Sequence, residues 1–191
     1  MSKAQYLDRS QYNRLFPYMQ YENALALRIA LETGLRIGDV LSICKGDIKD
    51  QTIHYVSEKT GKRGKARISK SLADELMRLP GEAYLFPKRY GDGHRTRQAV
   101  YIDMERAVER AQLEKHVSPH SSRKTFAVDL MRKTGNINDV KKALQHSNAD
   151  TSAIYAYSDH EAAGNCYGCF MAALPQISRA IAKAIIEELT R

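Results

Sequence analysis

The chain reads as mainly helical with one small antiparallel β-sheet, an α+β arrangement. Three observations predict this. Apolar residues recur at helical spacing through most of the 191 residues. One stretch, Gln51 to Ile68, instead alternates apolar and polar positions. That stretch is interrupted by Thr60-Gly61-Lys62-Arg63-Gly64, which is turn chemistry, so it predicts a hairpin with a basic tip.

In order along the chain, Leu7, Leu15 and Phe16 stand between polar residues, which predicts a short helix starting after Asp8 or Ser10. Residues 21–33 are rich in Ala and Leu and predict a buried helix, with Gly34 where a C-terminal glycine belongs. Gly38-Asp39 opens a second short helix through Ile43. In the hairpin, Ile53 and Tyr55 share one face, and Ala66 and Ile68 alternate again. Ser71-Leu72-Ala73-Asp74 reads as a capping box for a helix that ends at Pro80-Gly81. Residues 84–95 carry Pro87, Gly91 and Gly93 and read as a loop. A long amphipathic helix follows from Thr96 to Leu113, with Val100, Met104, Ala107, Val108 and Ala111 on its apolar face. Ser118-Pro119 is an N-cap followed by proline at the first helical position. That helix runs to Lys133 and stops at Gly135. Asn138 or Asp139 caps the next, which ends near Leu144.

Nothing in the sequence separates two domains. Residues 1–160 are expected to form one, and 161–191 a tail. In the tail Ile177, Ile181, Ile185 and Leu189 recur every four residues, which predicts an amphipathic helix. It packs on its own domain or is exchanged between subunits.

Lys and Arg number 30 against 22 Asp and Glu, a net charge of +8. Such a balance favours a polyanionic partner. The cations also cluster. One group holds Lys62, Arg63, Lys65 and Arg67, the other Lys88, Arg89, Arg95 and Arg97. These eight are the candidate contacts to such a partner; the plainer reading is two solvated loops. No apolar run approaches the ~18 residues of a membrane span. The N-terminus lacks the apolar core of a secretory signal. Three cysteines make no disulfide framework, so a cytoplasmic setting is expected. His160, Cys166 and Cys169 lack the ligand number and spacing of a zinc site, and no metal is expected there. A phosphate-binding glycine loop and a His-Glu-x-x-His pair are both missing from the sequence.

A second pattern concerns chemistry. Arg36 lies in Thr33-Gly34-Leu35-Arg36-Ile37-Gly38-Asp39, and Lys59 in Glu58-Lys59-Thr60-Gly61-Lys62. His120 and Arg123 stand three apart in Pro119-His120-Ser121-Ser122-Arg123, on one side of a helix start. His146 follows an apolar helical pattern, and Tyr155 comes nine residues later. Each has a plain reading alone: Arg36 in a salt bridge with Asp39, Lys59 on an exposed turn, Tyr155 as a packing residue. Together they suit attack on a phosphodiester. Guanidinium groups fork onto phosphate oxygens, and a lysine among cations can give a proton to a leaving alkoxide. A phenol of pKa about 10 needs roughly 4 kcal/mol to ionise at pH 7, which two arginines and a nearby base can supply.

These residues carry a resemblance to the catalytic domain of the tyrosine site-specific recombinases, the phage integrase family. It covers roughly residues 6–158, from Tyr6-Leu7-Asp8-Arg9-Ser10-Gln11 through Tyr155. The resemblance implies the integrase catalytic-domain fold and a recombinase that breaks and rejoins double-stranded DNA without metal, ATP or other cofactor. It assigns Arg36, Arg123 and His146 to the scissile phosphate and Lys59 to general-acid catalysis at the 5′-oxygen. It assigns His120 to the tyrosine proton and Tyr155 to the attack that forms a 3′-phosphotyrosine. It also implies a homotetramer on DNA, joined through the tail helix.

The sequence departs from the pattern in places. Ser122 stands where the family often has an apolar residue, and Gln145 where glycine commonly precedes the second histidine. The chain leaves no room for the DNA-binding domain that usually precedes the catalytic one, which implies an excised piece or a short single-domain recombinase. Tyr157 is a rival nucleophile, ranked behind Tyr155 on its separation from His146. A type IB topoisomerase shares the arginine, lysine and tyrosine chemistry, but His120-x-x-Arg123 favours the recombinase. A catalytically silent DNA-binding module is the remaining alternative.

Overall fold

The computed structural model describes residues 5–80 and 83–144. Two compact units divide the chain, one ending at Arg123 and the other beginning at Lys124. As expected, the fold is mostly helical with one small antiparallel sheet.

The first unit opens with α1 (Arg9–Leu15), capped by Asp8. Asp8 accepts the Gln11 backbone N–H at 2.8 Å while Gln11 Oε1 accepts that of Asp8 at 3.0 Å. This reciprocal bonding selects Asp8 over Ser10 as the start. A 3-10 turn over Phe16–Tyr18 leads to α2 (Tyr21–Thr33). Nine of its residues are buried, so α2 is a central rod rather than an amphipathic surface helix. It ends at Gly34 with φ 69°, a left-handed cap that glycine adopts without a Cβ clash. The short α3 (Ile37–Leu41) follows and packs against α2.

The sheet has three strands in the order β1 (Ile48–Lys49), β2 (Thr52–Val56), β3 (Arg63–Arg67), all antiparallel. The register pairs Ile53 with Ala66 and Tyr55 with Gly64 on the core-facing side. Two corrections to the sequence reading arise here. The two-residue β1 is too short to show alternation, and it pairs with β2 around Asp50, at φ 55°. Gly64, read as part of the turn, lies inside β3. Its missing side chain makes room for the Tyr55 ring, since a Cβ there would stand 2.5 Å from Tyr55 Cζ.

Next comes α4 (Lys70–Met77), whose cap is Ser69 rather than the predicted Ser71. Ser69 Oγ accepts the Leu72 N–H at 3.4 Å and itself donates to Glu32 at 2.9 Å, so a contact from α2 decides between two serines. The helix stops at Met77, ahead of Pro80. The long α5 (Arg97–Arg110) begins just after the predicted start at Thr96, which is its cap, and ends short of the predicted Leu113; it buries Val100, Met104 and Ala107. Asp103, half-buried on α5, accepts from Asn23 Nδ2 at 2.7 Å and ties α5 to α2. The continuous core draws on α1 to α5 and the sheet, with Tyr12, Phe86, Leu25, Leu27, Ile29 and Ile53 among its fully buried side chains.

α6 (Pro119–Thr134) begins at the predicted proline. In the second unit, α7 (Ile137–Leu144) follows Gly135, which has φ 64°. Its capping acceptor is Asn136, whose Oδ1 takes the Asn138 N–H at 3.0 Å, in place of the predicted Asn138 or Asp139. Ala127, Met131, Val140 and Leu144 form this unit's apolar cluster. Among the described residues no helix is long and apolar enough to cross a membrane, and no cluster of His, Cys, Asp and Glu could hold a metal ion.

Candidate active site

Each residue of the Thr33–Asp39 stretch has a local task. Thr33 Oγ1 donates to the Ile29 carbonyl at 2.6 Å and accepts the Leu35 N–H at 3.3 Å, closing the end of α2. Gly34 turns the backbone, and Leu35, 4 % exposed, is anchored in the core. Arg36 then emerges with an extended backbone at the N-cap of α3. Its guanidinium lies 3.9 Å from Asp39 Oδ2, so the plain expectation of an Arg36–Asp39 ion pair is met. Asp39 is buried, and its other oxygen accepts the backbone N–H of Glu58 at 2.8 Å.

That bond fixes the turn between β2 and β3. The turn is closed by Ser57 N–H to Lys62 O at 2.9 Å and Gly61 N–H to Ser57 O at 2.7 Å. Lys59 sits on it and is exposed.

At the start of α6, Ser118 Oγ accepts the His120 N–H at 3.2 Å, and Ser122 Oγ donates to the Pro119 carbonyl at 2.7 Å. His120 is exposed, whereas Arg123, one turn on, is only 3 % exposed. The Arg123 guanidinium donates to the carbonyl of Gly34. A buried charge requires such a partner.

Arg36, Lys59, His120 and Arg123 line a single cleft of about 630 Å³. Arg97, Gln98 and Tyr101 of α5 line it too, as do Gly38, Asp39 and Glu58. Four guanidinium or ammonium groups thus face two carboxylates, one of them buried. Such a cleft attracts an anion with several oxygen acceptors, and the guanidinium groups can each make two parallel bonds to it. Tyr101 Oη donates to Glu105 at 2.5 Å; that bond, chiefly, holds the phenol pKa above its ordinary range.

The sequence reading missed Asp39 as the link between α3 and the β2–β3 turn, and it missed Glu58 and Tyr101. Only Asp39 left a signal, as an acid three positions after Arg36. His146 and Tyr155 lie outside the described residues. So do Tyr157, His160, Cys166, Cys169 and the tail helix at 176–191.

The eight candidate DNA contacts divide. Lys62, Arg63, Lys65 and Arg67 are exposed on the hairpin, and the last three alternate along β3. Lys88 and Arg89 are exposed in the loop before α5, where Arg89 lies 5.6 Å over the Tyr90 ring. Arg97 lines the cleft. Arg95 is engaged by its own fold, donating to Gln20 and Asn23 at 3.0 Å each and lying 3.7 Å from Glu22.

Comparison with known proteins adds a second line. The phage integrase family model matches residues 5–162. Tyrosine recombinase XerD of Corynebacterium glutamicum is 28 % identical over 137 residues, covering 65 % of this chain and 44 % of that protein. Tyrosine recombinase XerH of Campylobacter jejuni is 30 % identical over 149 residues, 73 % of this chain and 42 % of its own length. The chain therefore spans less than half of these relatives. Among solved structures, the catalytic domain of bacteriophage HP1 integrase superposes with a TM-score of 0.61 at 25 % identity, covering 84 % of this chain and 93 % of that one.

Proposed function

The chain belongs to the phage integrase family, and from that membership we propose that it is a site-specific DNA recombinase working through a covalent 3′-phosphotyrosine. One observation carries the reading. Four residues drawn from the end of α2, the β2–β3 turn and the start of α6 line one cationic cleft. Their types are those that phosphoryl transfer from DNA needs.

In the proposed reaction Arg36, Arg123 and His146 bind the non-bridging oxygens of the scissile phosphate and stabilise the charge that grows there. The Tyr155 oxygen attacks phosphorus, and its proton passes to His120. The bond from phosphorus to the 5′-oxygen breaks, and Lys59 protonates that oxygen as it leaves. The phosphotyrosyl ester keeps the energy of the broken diester. Attack by a 5′-hydroxyl from another strand reverses the steps and joins new partners, with no ATP, metal or other cofactor consumed. Lys62, Arg63, Lys65, Arg67, Lys88, Arg89 and Arg97 contact the duplex around the cleft. Four copies act on two duplexes in the cytoplasm, each lending residues 176–191 to a neighbour. Deleting that segment abolishes assembly on DNA; unchanged assembly would remove the tail from the proposal.

The chemistry is tested with a library of nicked duplexes carrying random sequence around the nick. Wild type gives a covalent adduct that survives denaturation, and Tyr155→Phe gives none. An adduct that persists in Tyr155→Phe moves the nucleophile to Tyr157. Tight binding with no adduct from wild type favours the silent DNA-binding module.

A further inference from the structure

Glu58 stands in the cleft one position before Lys59, with its backbone N–H fixed by Asp39. Its side chain is exposed, yet it lies back over Gly38 instead of extending away. A Cβ built on Gly38 would stand 2.7 Å from Glu58 Oε2 and 3.3 Å from Arg97 Cδ. Glycine at 38 therefore leaves room for an acid beside Arg97 on a wall otherwise dominated by cations. Among the described residues the Glu58 carboxylate makes no hydrogen bond or ion pair, so no structural contact explains its position there.

A carboxylate and a phosphodiester carry like charge and seek the same field. We infer that Glu58 is an internal counter-charge that competes with DNA phosphate for the cleft, and that Gly38 is the residue that admits it. The inference rests on the DNA reading given above. It makes Glu58 a residue that sets how readily the cleft takes up a DNA backbone. Sequence-independent binding depends almost wholly on this electrostatic term, so it is the binding most sensitive to one added anion.

The test compares the whole chain with Glu58→Gln and Glu114→Gln, using a labelled duplex of arbitrary sequence and fluorescence anisotropy at rising salt. Glu114 is exposed and does not line the cleft, so its substitution makes the same change in net charge elsewhere. Glu58→Gln is expected to tighten binding roughly threefold to tenfold at low salt, with the gap closing as ions screen the cleft. Glu114→Gln shifts binding by less. Equal shifts in the two variants overturn the inference, because net charge alone would then explain them. Weaker binding by Glu58→Gln also overturns it, since the carboxylate would then be making a favourable contact with DNA. If all three proteins bind no duplex, the DNA reading fails and this inference falls with it. If wild type binds well and Glu58→Gln matches it, only this inference falls.

Discussion

The carboxylate of Asp39, on α3, accepts the backbone N–H of Glu58 at 2.8 Å, joining that helix to the β2–β3 turn nineteen residues on. The other Asp39 oxygen lies 3.9 Å from the Arg36 guanidinium. A single buried acid thereby holds the turn that carries Lys59 and faces the arginine across from it. Asp39→Ala leaves the Glu58 amide without its acceptor and Arg36 without its counter-charge. The expected loss is about 1–3 kcal/mol in urea denaturation. Adduct formation is expected to fall on the order of a hundredfold, because the start of α3 and the Lys59 turn lose their mutual alignment. Asp39→Asn keeps an oxygen for the amide and regains stability ahead of activity. Full activity in Asp39→Ala would refute the linking role.

Arg123 serves the fold as well as the cleft. Its donation to Gly34 satisfies a carbonyl on a left-handed residue, where the chain leaves α2 for Arg36. Lysine has a single charged head and lacks the planar fork, so it cannot reproduce both the carbonyl bond and the bidentate grip on phosphate proposed above. Arg123→Lys is expected to lose about 1–3 kcal/mol of stability and on the order of a hundredfold or more in adduct formation. Thermal melting and single-turnover adduct assays separate the two effects. A variant that melts like wild type would show that the Gly34 bond contributes little.

What the sequence made legible follows the range of the interactions. Asp8, Gly34 and Pro119 were readable because capping chemistry acts within a few residues. Ser69 and Ser71 were not separable locally, since Glu32 from a distant helix decides between them. Gly64 looks like turn chemistry among basic residues, and only its pairing with Tyr55 shows it to be a strand position. In the site, Arg36, Lys59, His120 and Arg123 were legible as types and spacings. Their meeting at one site was expected from the family resemblance and not from periodicity, and the bond from Asp39 to Glu58 was not foreseen. Both depend on long-range packing, to which local periodicity is blind.

The two glycines near the site predict opposite outcomes for the same change. At Gly64 a methyl group would stand 2.5 Å from Tyr55 Cζ and 2.6 Å from its Oη. The ring packs against the core and gives up those contacts if it shifts, so Gly64→Ala should lose about 1–3 kcal/mol. At Gly38 the methyl meets two long, rotatable side chains, Glu58 Oε2 at 2.7 Å and Arg97 Cδ at 3.3 Å, within a helix where alanine is favoured over glycine by up to about 1 kcal/mol. Gly38→Ala should therefore melt at or above the wild-type temperature. Similar melting shifts in both variants would mean that the Tyr55 ring yields as easily as a glutamate side chain.

The cations offer a last test, because binding and folding make different demands on them. Arg63, Lys65 and Arg67 are exposed and alternate along β3, so their side chains share one face of the sheet. If each neutralises one phosphate, each alanine substitution lowers the log–log salt slope of duplex binding by about 0.9. Stability should stay within about 0.5 kcal/mol, as is usual for surface changes. Arg95 belongs to the same basic count but is bound by Gln20 and Asn23 and faces Glu22. Arg95→Ala should leave the salt slope unchanged and lower the melting temperature, since the N-terminal end of α2 loses its tie to the loop before α5. A reduced slope with unchanged melting in Arg95→Ala would reverse this division and return Arg95 to the DNA contacts.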